Sequence, residues 1–151
     1  MQATTPIGKV MTRKPETVSP AKTMEDVRKI FEMRGFHHIP VVENKKLVGL
    51  VSYTDYLQLI RTIFDNAQEE RVNEKVLNAT LVRDVMTQNV LCLSPEDSVE
   101  TALRIFKANQ FHSLPVVDDQ QHLVGILTTY DLMKVLEKVF VEQAEKVDNP
   151  A

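Results

Sequence analysis

Tryptophan is absent from this 151-residue sequence, cysteine occurs once, at Cys92, and glycine only four times. A single cysteine excludes an intramolecular disulfide and points to a reducing compartment. Four scattered glycines leave no glycine-rich loop of the P-loop or dinucleotide type, so a phosphate site would have to be built another way. No stretch approaches the roughly 18 apolar residues of a membrane span. The opening MQATTPIGKVMTRK lacks an apolar signal core, so no membrane partner and a cytoplasmic location are expected. Charge of one sign is also missing: 18 Lys and Arg against 21 Asp and Glu give a net −3. Without a basic surface or tail, nucleic acid is not an expected partner. What remains, 43% apolar and 26% charged, is the composition of a globular domain.

What the sequence does contain is a duplication. Gly49-Leu50-Val51-Ser52-Tyr53-Thr54-Asp55 returns as Gly125-Ile126-Leu127-Thr128-Thr129-Tyr130-Asp131, 76 residues later. Met11-Thr12 and Ser19-Pro20 match Met86-Thr87 and Ser94-Pro95 at an offset of 75. A repeat of this kind overrides the single-domain prior that length alone suggests. The expected units are 1–78, a first copy with a connecting helix, and 79–151, a second. Each is too small to bury much core alone, so the two are expected to pack together.

Each copy reads as helical turn, strand, helix, strand, strand, helix. Thr5 is the expected N-cap of the opening turn, with Pro6 at its first position. Residues 17–18 and 90–93 suggest short buried strands. Thr23 and Ser98 precede apolar residues at helical spacing, Met24, Val27, Ile30 and Phe31 in one copy and Val99, Ala102, Leu103 and Phe106 in the other. Gly35 and, more weakly, Asn109 are the expected C-caps. Two apolar runs joined by a polar turn follow in each copy, predicting a hairpin whose proline, Pro40 or Pro115, sits where no N–H is needed. The second turn is longer by one residue, which changes the offset from 75 to 76. Helices are predicted after Asp55 and Asp131, the first extended by the charged stretch 65–78. Residues 1–4 are expected to fray and 148–151 to be disordered.

A strand that ends in a hydroxyl residue and runs into a helix start offers free backbone N–H groups to an anion. An aspartate three positions on would take hydroxyl donors, which makes a nucleotide the first ligand to consider. The whole pattern resembles a tandem pair of CBS (cystathionine beta-synthase) domains, a Bateman module. Val10-Met11-Thr12, His38-Ile39-Pro40-Val41-Val42 and the Gly49 to Asp55 segment carry the likeness. Val85-Met86-Thr87, Leu114-Pro115-Val116-Val117 and the Gly125 to Asp131 segment repeat it. The resemblance implies an α/β fold of two pseudo-symmetric CBS units (strand-helix-strand-strand-helix) packed through their sheets, with clefts that take AMP, ADP or ATP, or in some members S-adenosylmethionine. It also implies a homodimer formed through helices. On this chain it assigns Asp55 to ribose, Ser52 and Thr54 to phosphate, and Thr17, Val18, His38, Ile39 and Pro40 to the adenine pocket. In the second copy it assigns Asp131 and Thr128, with Cys92, Leu93, Ser113, Leu114 and Pro115 around the base. Tyr130 departs from the family's Ser or Thr. Arg13, Lys14, His37 and His112 are basic candidates for the phosphate charge.

Plainer readings stand beside these. Thr54-Asp55 and Tyr130-Asp131 could cap helices. His37 and His38 are adjacent on a strand, so they face opposite ways and suit packing better than a metal. Cys92 lies in an apolar run, where a thiol is inert. No Ser-His-Asp, Cys-His or paired-carboxylate constellation is present. The expected function is therefore a non-enzymatic regulatory module acting on a separate effector protein. The alternative is a ligand-independent dimerisation scaffold, using apolar arcs around Leu57, Ile60 and Phe64 and around Leu136, Val139 and Phe140.

Overall fold

A computed structural model of the chain describes residues 3–64 and 70–148. It divides into two compact units, but not at the expected boundary near residue 78. The first unit is Pro15–Val90, and the second joins the segment up to Lys14 to the chain from Leu91 onward. The lead-in before each repeat therefore packs on the hairpin of the other repeat.

The reason lies in two glycines. In the first unit, strand β2 (His38–Glu43) pairs antiparallel with β3 (Lys46–Ser52), and Leu50 exchanges backbone hydrogen bonds of 2.9 and 3.0 Å with Thr87. A Cβ at Gly49 would sit 2.6 Å from the Met86 sulfur and 3.0 Å from the Thr87 carbonyl oxygen. In the second unit, β1 (Thr12–Arg13) joins β4 (Ser113–Val117) and β5 (Leu123–Thr128) in a sheet ordered β1-β5-β4. There a Cβ at Gly125 would meet the Met11 sulfur at 2.5 Å and the Thr12 carbonyl oxygen at 2.9 Å. Only a bare backbone lets the Met-Thr segment cross each hairpin so closely.

The helices form for local reasons that sequence spacing anticipated in part. Helix α1 (Met24–Arg34) opens with a Thr23–Asp26 capping box and closes at Gly35, whose φ of 63° is left-handed. Beyond it lie α2 (Tyr53–Phe64), α3 (Glu70–Ala79) and the short α4 (Val82–Val85). Helix α5 (Val99–Asn109) is capped by the Ser98 hydroxyl, which accepts the Thr101 N–H. Its left-handed terminus is Gln110, not Asn109; the Asn109 amide instead donates back to the Ile105 carbonyl. Helix α6 (Thr129–Asp148) includes Asp148, the first residue expected to be disordered, while 149–151 lie outside the described residues.

Other expectations need correction. Thr5 is not the N-cap of the opening turn. Pro6 holds that position before a 3-10 turn at Ile7–Lys9, and the Thr5 carbonyl accepts the N–H of Val99. Ala3 is tied down as well, its carbonyl accepting the Glu100 N–H at 3.0 Å; residues 1–2 lie outside the described residues. The strands expected at 17–18 and 90–93 shrink to isolated parallel bridges, Val18 to Val41 and Leu93 to Val116. Of the stretch 65–78 expected to extend the helix after Asp55, the part from residue 70 onward is helical, in α3, and residues 65–69 lie outside the described residues.

Each unit has its own core. In the first, Met24, Val27 and Phe31 of α1 meet Ile39, Val41 and Val51 of the hairpin, with Leu77 and Val82 closing the cluster. In the second, Val99, Ala102 and Phe106 of α5 meet Leu114, Val116 and Leu127, with Ile7 and Met11 contributed by the lead-in. The hairpin turns differ. Asn44 and Lys45, with φ of 51° and 67°, make a two-residue turn. The longer one is organised by the Asp118 carboxylate, which accepts the N–H groups of Gln120 and His122 at 2.8 and 2.9 Å.

Candidate functional site

The residues assigned to ribose and phosphate gather where each hairpin runs into a helix. In the first unit, the Ser52 hydroxyl accepts the Asp55 N–H at 3.0 Å, and one Asp55 carboxylate oxygen accepts the Ser52 N–H at 2.8 Å. This is a capping box at the start of α2, and Ser52, not Thr54, is the cap. The other Asp55 oxygen takes no hydrogen bond from the described residues. Asp55 is half-buried and Thr54 is exposed. His38 stands opposite Ser52 in the strand register. The Tyr53 ring lies edge-on to Phe31 at 5.4 Å and to His37 at 6.1 Å, a feature the second unit lacks because Thr129 stands there.

In the second unit the same box is fuller. Asp131 is 2% exposed. Its Oδ2 accepts the Thr128 N–H at 2.9 Å and the Thr128 hydroxyl at 2.8 Å. Its Oδ1 accepts the Thr12 hydroxyl at 3.0 Å and pairs with the Lys134 ammonium at 2.8 Å. Burial pushes the Asp131 carboxyl up. The bonds from Lys134, Thr128 and Thr12 together outweigh it and hold the group below the usual carboxylate range. Lys134 is raised in turn, through its hydrogen bond to Asp131. Its ammonium also lies 5.1 Å from the centre of the Tyr130 ring.

The residues assigned to the adenine pockets divide by strand alternation. Ile39 and Leu114 point into the two cores, as do Val18 and Leu93, so what they present elsewhere is backbone. Part of that backbone is already committed, since Val18 N–H donates to the Pro40 carbonyl and Leu93 N–H to the Pro115 carbonyl. Thr17 is exposed, while Pro40 and Pro115 are buried. Cys92 is half-buried and burial pushes its thiol up, away from the reactive thiolate. Ser113 faces Thr128 across the hairpin, 5% exposed, and its hydroxyl finds no hydrogen-bond partner among the described residues.

Of the basic candidates, Arg13 donates to the Gly8 carbonyl at 2.6 Å, and Lys14, His37 and His112 are exposed. Lys134 was not among them. Setting the repeats in register would have found it, because its counterpart is the uncharged Gln58. Among the described residues no group of three or more His, Cys, Asp or Glu could hold a metal, and no helix is long and apolar enough to cross a membrane. An open groove of about 610 Å³ lies between α5 and α6, lined among others by Leu103, Phe106, Phe111, Met133 and Leu136. None of Ser113, Thr128 or Asp131 lines it.

The family model described as CBS domain matches residues 7–62 and again 82–138. The chain belongs to the CBS domain family. It is a tandem CBS pair, and the two matches follow the sequence repeats, whereas the compact units exchange their lead-ins. Inosine-5'-monophosphate dehydrogenase of Methanocaldococcus jannaschii is 32% identical over 135 residues, 89% of this chain but 24% of that protein. The chain thus spans a quarter to a half of the length of the curated relatives it first matches. CBSX2, a CBS-pair protein of Arabidopsis thaliana, has been solved in complex with AMP. It aligns with a TM-score of 0.75 and 26% identity, over 89% of this chain and 97% of that one. Protein MJ1225 of Methanocaldococcus jannaschii aligns with a TM-score of 0.80 and 27% identity, over 90% of this chain and 49% of its own.

Proposed function

We propose that this CBS pair is a non-enzymatic regulatory module that binds an adenosine nucleotide, AMP, ADP or ATP, at the Ser52–Asp55 site and signals to a separate partner protein. The observation that carries this reading is the divided Asp55 carboxylate. One oxygen caps α2, while the other accepts nothing from the described residues. A half-buried carboxylate oxygen calls for donors, and a ribose diol supplies two. The Ser52 and Thr54 hydroxyls and the Thr54 N–H lie alongside, suited to a phosphate, while the Tyr53 and Asp55 N–H groups are already given to the His37 carbonyl and the Ser52 hydroxyl. The AMP bound by CBSX2, a relative covered almost end to end, supports the same ligand class. Regulation then follows from linkage: a nucleotide shifts a conformational or assembly equilibrium by its differential affinity for the two states.

The test is thermal unfolding with AMP, ADP, ATP, S-adenosylmethionine and NAD, repeated on Asp55→Asn. A bound nucleotide at 100 times its dissociation constant stabilises by about 2.7 kcal/mol. That shift is expected for at least one adenosine nucleotide and is lost in the variant. The same midpoint shift in Asp55→Asn would remove the aspartate from the site.

A second reading is favoured by α6, where Tyr130, Met133, Leu136, Phe140 and Val141 are each more than half exposed. Five large apolar side chains on one helix suit association with a second copy, as an interaction scaffold needs. Sedimentation with and without AMP separates the two readings. A scaffold keeps one association constant, and a sensor changes it.

A further inference from the structure

The two aspartates are equivalent in sequence and inequivalent in chemistry. We infer that Lys134 closes the second unit's aspartate to ribose, so that each chain takes one adenosine nucleotide, at Asp55, and none at Asp131. This rests on the nucleotide reading above and adds to it the residue that decides which repeat is occupied.

A ribose diol approaching Asp131 meets no uncommitted acceptor. Oδ2 is held by the Thr128 N–H and hydroxyl at 2.9 and 2.8 Å, and freeing it dismantles the cap of α6. Oδ1 is held by the Thr12 hydroxyl at 3.0 Å and the Lys134 ammonium at 2.8 Å. Neutral ribose hydroxyls would have to displace a charged donor from a carboxylate that is 98% withdrawn from solvent. Charged donors form the stronger bonds. Lys134 sits three residues beyond Asp131 on the same helix, so the competing cation is always at hand. The ammonium also lies over the Tyr130 ring, 5.1 Å from its centre, a second attraction that favours this position. Tyrosine at 130 thus both moves the hydroxyl to the far end of a ring, away from the helix start, and supports the lysine. The unpartnered Ser113 hydroxyl nearby cannot replace a carboxylate as an anchor for two ribose hydroxyls.

At Asp55 every one of these obstacles is relaxed. Gln58 takes the place of Lys134 and carries no charge. Thr87, the counterpart of Thr12, makes no hydrogen bond to Asp55 among the described residues. Thr54 carries its hydroxyl next to the backbone, whereas that of Tyr130 stands at the far end of a ring.

Calorimetric titration with AMP on four proteins tests the inference: wild type, Lys134→Gln, Lys134→Arg and Gln58→Lys. Gln58 is exposed, so its replacement does not depend on repacking a core. Wild type and Lys134→Arg should bind one AMP per chain, and Lys134→Gln should bind two. Gln58→Lys should weaken binding by about tenfold to a hundredfold, the range of a charged hydrogen bond. Two equivalent AMP per wild-type chain would overturn the inference while leaving the nucleotide reading intact. So would an unchanged stoichiometry in Lys134→Gln together with unchanged affinity in Gln58→Lys. Absence of AMP binding by all four proteins would overturn the AMP reading itself, and the inference with it.

Discussion

Asp55 and Asp131 close the same capping box in two copies of one motif, yet among the described residues one keeps a carboxylate oxygen that accepts nothing and the other has none. The difference comes from a lysine three residues downstream, a threonine brought in by the lead-in segment, and the depth of burial. A repeated motif therefore does not guarantee a repeated site. The shared part, a hydroxyl residue capping a helix with an aspartate at the third position, is a structural device that both copies need. The part that differs is what a ligand would meet.

The contrast can be broken most directly through stability. Asp131→Ala should destabilise the protein by about 3 kcal/mol, the scale for losing a buried, multiply bonded carboxylate, moderated because Lys134 is half exposed and can turn to water. Asp55→Ala should cost only about 1 kcal/mol, the value of a lost cap. Chemical denaturation of both variants measures the gap, and equal losses would mean the two boxes do the same structural work.

Acid sharpens the comparison. The folded Asp131 carboxyl titrates below its reference value of 3.8. Its contribution is fully present above that pH, where the group is ionised in both folded and unfolded chains, and is lost as pH falls further through the folded value. The stability difference between wild type and Asp131→Ala should therefore hold steady from neutral pH down to about 5 and narrow below about 4. A difference that stays constant into strong acid would show that the bonds to the Asp131 carboxylate do not outweigh its burial.

The smallest effect concerns Ser113. An orphaned buried hydroxyl costs about 1–3 kcal/mol relative to a satisfied one, so Ser113→Ala should leave the unfolding midpoint unchanged or raise it slightly. A fall in the midpoint would mean that the hydroxyl has a partner in solution that the fold alone does not provide.

Much of the local structure was legible from spacing because its causes are local. The Thr23 and Ser98 caps, the left-handed Gly35, the two hairpins and the helices after each aspartate follow from side chains within a few residues of one another. The misreadings also have local explanations. Pro6 took the cap expected of Thr5, and Gln110 the left-handed position expected near Asn109. The short strands at 17–18 and 90–93 were harder to read because a single parallel bridge leaves almost no period in the sequence.

By itself the sequence determined the duplication, the order of elements in each copy, the family, and the positions of the paired hydroxyl and aspartate residues. These depend on residue type at short range, which a linear string records. Only the tertiary structure decided which lead-in lies on which hairpin, that Met86-Thr87 crosses Gly49 and Met11-Thr12 crosses Gly125. It alone brought Thr12 to Asp131 across 119 positions of chain. Burial and hydrogen-bond occupancy are properties of what surrounds an atom in space. Two identical aspartates can therefore differ in both while the motif around them stays the same.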